Sequence, residues 1–164
     1  MSSSFSKSAA ALSLLAGLGM APAWAARLAP NTAGDEVTDS QTHLVWRRCD
    51  EGQNWAGGSC AGTSLSTDWA GAGQRAVDEA KRTGVAWRLP TVDELKTLVV
   101  PRAVPDAATI DGAVFPNTSA EWHWSGTPVT GDATGALGVD FYDGSSRDAA
   151  RSDKGWVRLV RSAP

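Results

Sequence analysis

Between residues 66 and 101 the apolar positions fall into two helical stripes. Trp69, Ala72, Ala76, Val77 and Ala80 recur at near-helical spacing, with Gln74, Arg75, Asp78, Glu79 and Arg82 mostly on other faces. This predicts a helix over 68–82, capped by Ser66 or Thr67 and stopped by Gly84. Gly71 and Gly73 weaken its first turns, so packing must hold them. The second stripe, Val92, Leu95, Leu98 and Val99, predicts a shorter helix that Pro101 ends. Thr91-Val92-Asp93-Glu94 reads as its capping box, in which the Thr hydroxyl accepts from the Glu94 amide and the carboxylate reaches back to the Thr91 amide.

Elsewhere the period is two. His43 to Arg47 reads as a strand after the turn Asp39-Ser40-Gln41-Thr42. Glu121 to Ser125 alternates, with Trp122 and Trp124 on one face and His123 and Ser125 on the other, which is expected to meet solvent. Gly135 to Tyr142 and Ser145 to Arg151 read as strands joined at Asp143-Gly144, a strong hairpin signal. Trp156 to Arg161 is the last strand. Two helices followed by a meander of strands predict an α+β fold, with the helices packed on an antiparallel sheet. Residues 26–36, polar and containing Pro30 and Gly34, are expected to be a flexible leader, and the folded domain to cover 37–162.

The N-terminus changes the picture. Lys7 precedes an uncharged run from Ala9 to Met20, and Ala23-Trp24-Ala25 follows. This is the order of a secretion signal over residues 1–25, with cleavage expected after Ala25. The apolar run is too short to cross a bilayer. Export to the periplasm or beyond puts Cys49 and Cys60 in an oxidising compartment, where a pair usually bridges. Closing that short, Gly-rich loop stabilises by roughly 2–3 kcal/mol in the chain-entropy picture. The net charge is −3, and the basic cluster Arg147, Arg151, Lys154, Arg158 and Arg161 is interrupted by Asp148 and Asp153. An acidic chain without a basic face is a poor candidate for nucleic acid.

Trp87-Arg88-Leu89-Pro90-Thr91-Val92-Asp93-Glu94-Leu95 resembles the WRLPT-x-x-EL signature of the Lcl C-terminal domain family, once described only as a domain of unknown function. Val37 to Trp46 is similar to its opening strands, Phe115-Pro116 with Trp124-Ser125-Gly126-Thr127 to its FP…WSST block, and Val139 to Gly144 and Val157 to Arg161 to later segments. The order agrees over residues 37–161. His43 stands where the family has a turn glycine, and Leu159 where many members carry a cysteine. The resemblance implies a C-type-lectin-like fold, shared with formylglycine-generating enzymes: a twisted antiparallel sheet, two helices and long loops on one side. It also implies exported proteins, some of them adhesins with sugar-polymer ligands.

Candidate chemistry is sparse. With eight Trp against three Phe and one Tyr, most Trp side chains are needed as core, and Trp46, Trp69, Trp87 and Trp124 are assigned there. Trp55 sits in the Cys loop without apolar neighbours in sequence, so it is a candidate exposed contact. Tyr142, Asp143 and Arg147 flank the predicted hairpin tip and complete the candidate ligand-binding set. His123 and Ser125 have no nucleophile elbow beside them, so no catalytic residues are assigned. His43 reads as a turn residue. Asp106, Asp111, Asp140, Asp143, Asp148 and Asp153 do not follow a calcium-loop pattern, and no metal site is assigned, although loops could bring several together around Ca²⁺. The expected function is an exported, non-catalytic module that binds a surface glycan, polymer or protein. The alternatives are a periplasmic partner or inhibitor domain and, behind it, a formylglycine-generating type of enzyme, which needs free thiols or metal ligands.

Overall fold

The computed structural model describes residues 27–164. The expected secretion signal therefore lies outside the described residues. Along the chain run β1 (Leu28–Pro30), β2 (Glu36–Asp39), β3 (Leu44–Arg47), β4 (Asn54–Ala56), β5 (Ser59–Ala61), β6 (Ser66–Thr67), α1 (Trp69–Thr83), α2 (Val92–Lys96), β7 (Trp122–Val129), β8 (Asp132–Asp140), β9 (Ser146–Ala150), β10 (Gly155–Trp156) and β11 (Val160–Ser162). One sheet has the order β1-β2-β3-β11 and a second β6-β10-β7-β8-β9, while β4 and β5 form a separate hairpin. All pairs are antiparallel except β10 with β7. This is a sheet-dominated α+β fold with two helices, as the order of apolar patterns predicts.

Local signals explain most element ends. Asp68, one residue beyond the expected Ser66 or Thr67, caps α1 by accepting from the Gly71 amide at 2.8 Å. A Cβ on Gly71 would stand 2.2 Å from Thr67 Oγ1, so the residue that weakens the helix also makes room for its entry. Gly84 closes α1 in the left-handed conformation at φ 71°. The capping box of α2 forms as expected: Thr91 Oγ1 accepts from Glu94 N at 3.1 Å, and Glu94 Oε2 accepts from Thr91 N at 2.8 Å. His43 takes the turn position with φ 54°, a left-handed geometry that most side chains avoid. Thr91→Ala is expected to cost about 1 kcal/mol, read as a lower urea midpoint with an unchanged slope.

Two apolar clusters lie on opposite sides of the second sheet. Val92, Leu95 and Leu98 of the α2 region pack with Val37, Trp46, Phe115, Val139, Phe141 and Val160. Ala72 and Ala76 of α1 pack with Trp87, Trp122, Trp124, Val157 and Leu159. The Trp core assignment holds: Trp46, Trp87 and Trp124 are buried, and Trp69 packs against the second cluster with its Nε1 donating to Ser125 O at 2.8 Å. Val77, expected on the buried stripe of α1, is instead 45 % exposed, because contact with the sheet falls on the alanines.

Three expectations are corrected. The leader expected over 26–36 contributes β1, which pairs Leu28–Pro30 with Val37–Asp39; Arg27 Nε and Nη2 fork onto the buried Asp39 carboxylate at 2.8 and 2.5 Å. The last strand divides into β10 and β11, which belong to different sheets. His123 and Ser125 do not face solvent. Both are fully buried, because β7 is a central strand of a sheet covered on both faces.

Candidate functional site

The Cys49–Cys60 disulfide is present, with a Cα–Cα distance of 5.4 Å. It ties the end of β3 to β5 and holds the β4–β5 hairpin beside the first sheet. Asp50, next to the bridge, anchors this loop from below and is 1 % exposed. Its Oδ1 accepts from Arg158 Nη2, and its Oδ2 accepts from the Ser119 amide at 3.2 Å. His123 Nε2 stands 3.2 Å from Asp50 Oδ1, and the opposite ring nitrogen lies 2.9 Å from Glu121 O. Arg158 is itself fully buried and donates to Arg48 O at 2.5 Å, Arg47 O at 2.9 Å and Thr118 Oγ1 at 2.8 Å, with its guanidinium over the Phe115 ring. Burial works to raise the Asp50 carboxyl, but the charge of Arg158, with His123 close by and the Ser119 amide donating, outweighs it and holds it below the usual carboxylate range.

Above this network opens a cleft of about 340 Å³, lined by Ala33, Asp35, Arg47, Cys49, Asp50, Glu51, Gln53, Asn54, Trp55 and Arg82. Its walls come from the loop between β1 and β2, the Cys loop after β3 and the last turn of α1. Arg47 reaches Asp35 at 3.6 Å and Glu79 at 3.2 Å, and Arg82 forks onto Glu79 at 2.7 and 2.8 Å. The Arg82 hydrogen bonds lower the Glu79 carboxyl against its partial burial. Glu51 is different: burial and the neighbouring charge of Glu79 push its carboxyl above the ordinary range.

Trp55 forms one wall. It is half-buried rather than exposed as expected. The guanidinium of Arg48, itself buried, backs the indole at 4.0 Å from the ring centroid, and a Cβ on Gly34 would stand 2.6 Å from its Nε1. Arg48 is fixed in turn by donating to the carbonyls of Val114, Gly34 and Ala113. The tryptophan is thus a wall set by packing, and no rotation is needed to present it to the cleft.

The other three candidate contacts lie in different surroundings. Tyr142 is 51 % exposed at the β8–β9 turn, with Arg102 stacked on its ring and donating to its carbonyl. Asp143 borders a separate recess with Val99, Val100, Pro101, Arg102 and Thr109. Arg147 leaves the hairpin tip and lies over Trp122, 4.4 Å from the ring centroid, with Asp140 at 3.8 Å. Tyr142 and Asp143 therefore share the Arg102 side of the hairpin, Arg147 covers the sheet, and Trp55 belongs to the cleft. Among the described residues no three His, Cys, Asp or Glu side chains form a group able to hold a metal ion.

Sequence reasoning missed Arg47, Glu51, Glu79 and Arg82 as members of one site. Each reads singly as a surface charge, and only the meeting of three elements joins them. Val157-Arg158-Leu159-Val160 carried a weak signal for the buried network, since an arginine within an apolar run needs a partner wherever it is buried.

A comparison with curated proteins returns no match. A sequence profile of the Lcl C-terminal domain family matches residues 35–161, which takes in both sheets apart from β1 and the last residue of β11, both helices, the bridge and every wall of the cleft except Ala33. With the profile spanning most of the chain, and with the WRLPT segment forming the strand-to-helix entry of α2, the chain belongs to the Lcl C-terminal domain family.

Proposed function

We propose that this chain is an exported, non-catalytic binding module with a C-type-lectin-like fold, and that it recognises a surface glycan through the cleft beside the disulfide. The observation that carries this reading is the cleft lining itself. Planar polar groups (Asp35, Arg47, Glu51, Gln53, Asn54 and Arg82) surround one tryptophan wall. Sugars present adjacent hydroxyls that both donate and accept, which carboxylates, amides and guanidinium groups match in pairs. Their C–H faces pack on aromatic rings. The volume is at the small end of ligand pockets, suited to one or two sugar units of a longer polymer. Ion pairs and the bridge hold the walls before any ligand arrives, so little ordering opposes binding.

A second reading, a partner or inhibitor domain in the periplasm, draws on Tyr142 and Val104, both more than half exposed, and on an apolar recess of about 350 Å³ lined by Val100, Pro101, Ala103, Ile110 and Asp111. A formylglycine-generating type of enzyme would need free thiols or metal ligands; Cys49 and Cys60 form the bridge here, and free thiols titrated in the native protein would favour that reading instead. Among the described residues no helix is long and apolar enough to cross a membrane.

The test is a glycan array probed with the exported chain, with Ca²⁺ and with chelator. Selective binding that Trp55→Ala weakens at least tenfold is the expected result. Binding that survives Trp55→Ala but is lost on Tyr142→Ala moves the site to the hairpin. A blank array together with one stoichiometric partner in a periplasmic pull-down supports the second reading instead.

A further inference from the structure

The charges of the cleft do not close among themselves. Arg47 is shared between Asp35 and Glu79, and Arg82 is committed to Glu79 through both its Nε and Nη2. Glu51 is left over. Its backbone is fixed, with the amide donating to Val157 O at 2.8 Å and the carbonyl accepting from Leu65 N at 2.7 Å. Its side chain forms no salt bridge and accepts no hydrogen bond among the described residues, Arg47 and Arg82 being turned to Asp35 and Glu79. Arg47, Arg75 and Arg82 act on it only through their charge, and Glu79 opposes them. Glu51 nevertheless lines the open cleft and is partly exposed there. A carboxylate that lines the cleft with no protein donor is free to accept from a ligand.

We infer that Glu51 receives the ammonium group of an amino sugar, so that the polymer this cleft takes is a glycan carrying unacetylated glucosamine-type units. This rests on the glycan-binding reading above and narrows it to a ligand class. The ammonium is compact and carries three donors, which suits a single carboxylate on a cleft floor. The neighbouring amides of Gln53 and Asn54 and the carboxylate of Asp35 suit the hydroxyls of the same ring, and Trp55 suits its apolar face. A sulfated or carboxylated sugar placed there would meet Glu51 with like charge, while the nearby arginines Arg47 and Arg82 are already occupied. The net negative charge of the chain favours the approach of a cationic polymer.

The experiment is calorimetric titration of the exported chain with a fully deacetylated chitosan oligosaccharide, with the same oligosaccharide after chemical N-acetylation, and with a cello-oligosaccharide of equal length. The titration is run at a pH where the amines carry their protons. A charge-assisted hydrogen bond from the amine predicts at least a tenfold preference for the deacetylated form. Glu51→Gln, which keeps shape and removes charge, should erase that preference. Equal binding of acetylated and deacetylated forms overturns this inference and leaves the glycan reading standing. So does a preference that persists in Glu51→Gln. Absence of binding to all three, together with a blank glycan array, overturns both. The ligand-side comparison needs no variant, so a poorly folding Glu51→Gln would not shield the idea.

Discussion

Asp50→Ala is expected to lower the unfolding free energy by about 3–5 kcal/mol, the usual cost of removing one partner from a buried ion pair. The physical reason lies in what remains. Arg158 would keep its charge in a fully buried position where its Nε already lacks a partner, and its forks to Arg47 O, Arg48 O and Thr118 could not neutralise it. The Ser119 amide would lose its acceptor as well. Asp50→Asn keeps the shape and one acceptor, so its loss should be smaller. The pair also sets a pH dependence. Because the folded state holds the Asp50 carboxyl below its unfolded value, its contribution is fully present above the ordinary carboxylate range, near pH 4, and fades as pH falls through the folded value. Urea midpoints measured down a pH series should fall in acid for the native chain and fall less for Asp50→Asn. A flat profile in the native chain would contradict the role given to this pair.

Trp124→Ala should cost a similar amount, about 3–5 kcal/mol, as expected when a large aromatic leaves a closed core. The ring is fully buried between α1 and the sheet, packs edge-to-face on Trp122 at 5.7 Å between centroids, and donates from Nε1 to Thr67 O at 2.9 Å. Gly155 lies beneath: a Cβ there would stand 2.8 Å from the Trp124 Nε1, so the strand cannot move in to refill the space without remaking β10. Trp124→Phe separates the terms. It keeps most of the packing and removes the hydrogen bond, and should lose about 1 kcal/mol from that bond plus a smaller packing cost. Equal losses for the two variants would mean that the hydrogen bond, not the buried ring area, dominates.

How much of this was legible beforehand follows from the range of each interaction. The capping box at Thr91 and Glu94, the stop at Gly84 and the turn at Asp143-Gly144 depend on residues within a few positions of one another, and each sits where the sequence indicates. The cysteine pair was legible because only one pairing exists. β1 was not, because Leu28-Ala29-Pro30 becomes a strand only by pairing with β2, and its composition reads as linker. The burial of His123 and Arg158 was hidden for a related reason. Alternation tells which residues share a face, but not whether a second layer covers the polar face. Here that layer is the Cys loop, whose Asp50 is 108 residues from Arg158 in sequence. The cleft was the least legible feature: Arg47 ends a strand, Glu51 lies in a loop and Arg82 closes a helix, and no local pattern links them.

The most direct measurement is a map of amide and indole chemical-shift changes as the exported chain is titrated with a glycan drawn from the array. Recognition in the cleft predicts that the largest changes fall on Asp35, Arg47, Glu51, Asn54 and the Trp55 indole, with Tyr142, Asp143 and Arg147 little affected. Changes concentrated on the hairpin tip, with the cleft silent, would contradict it.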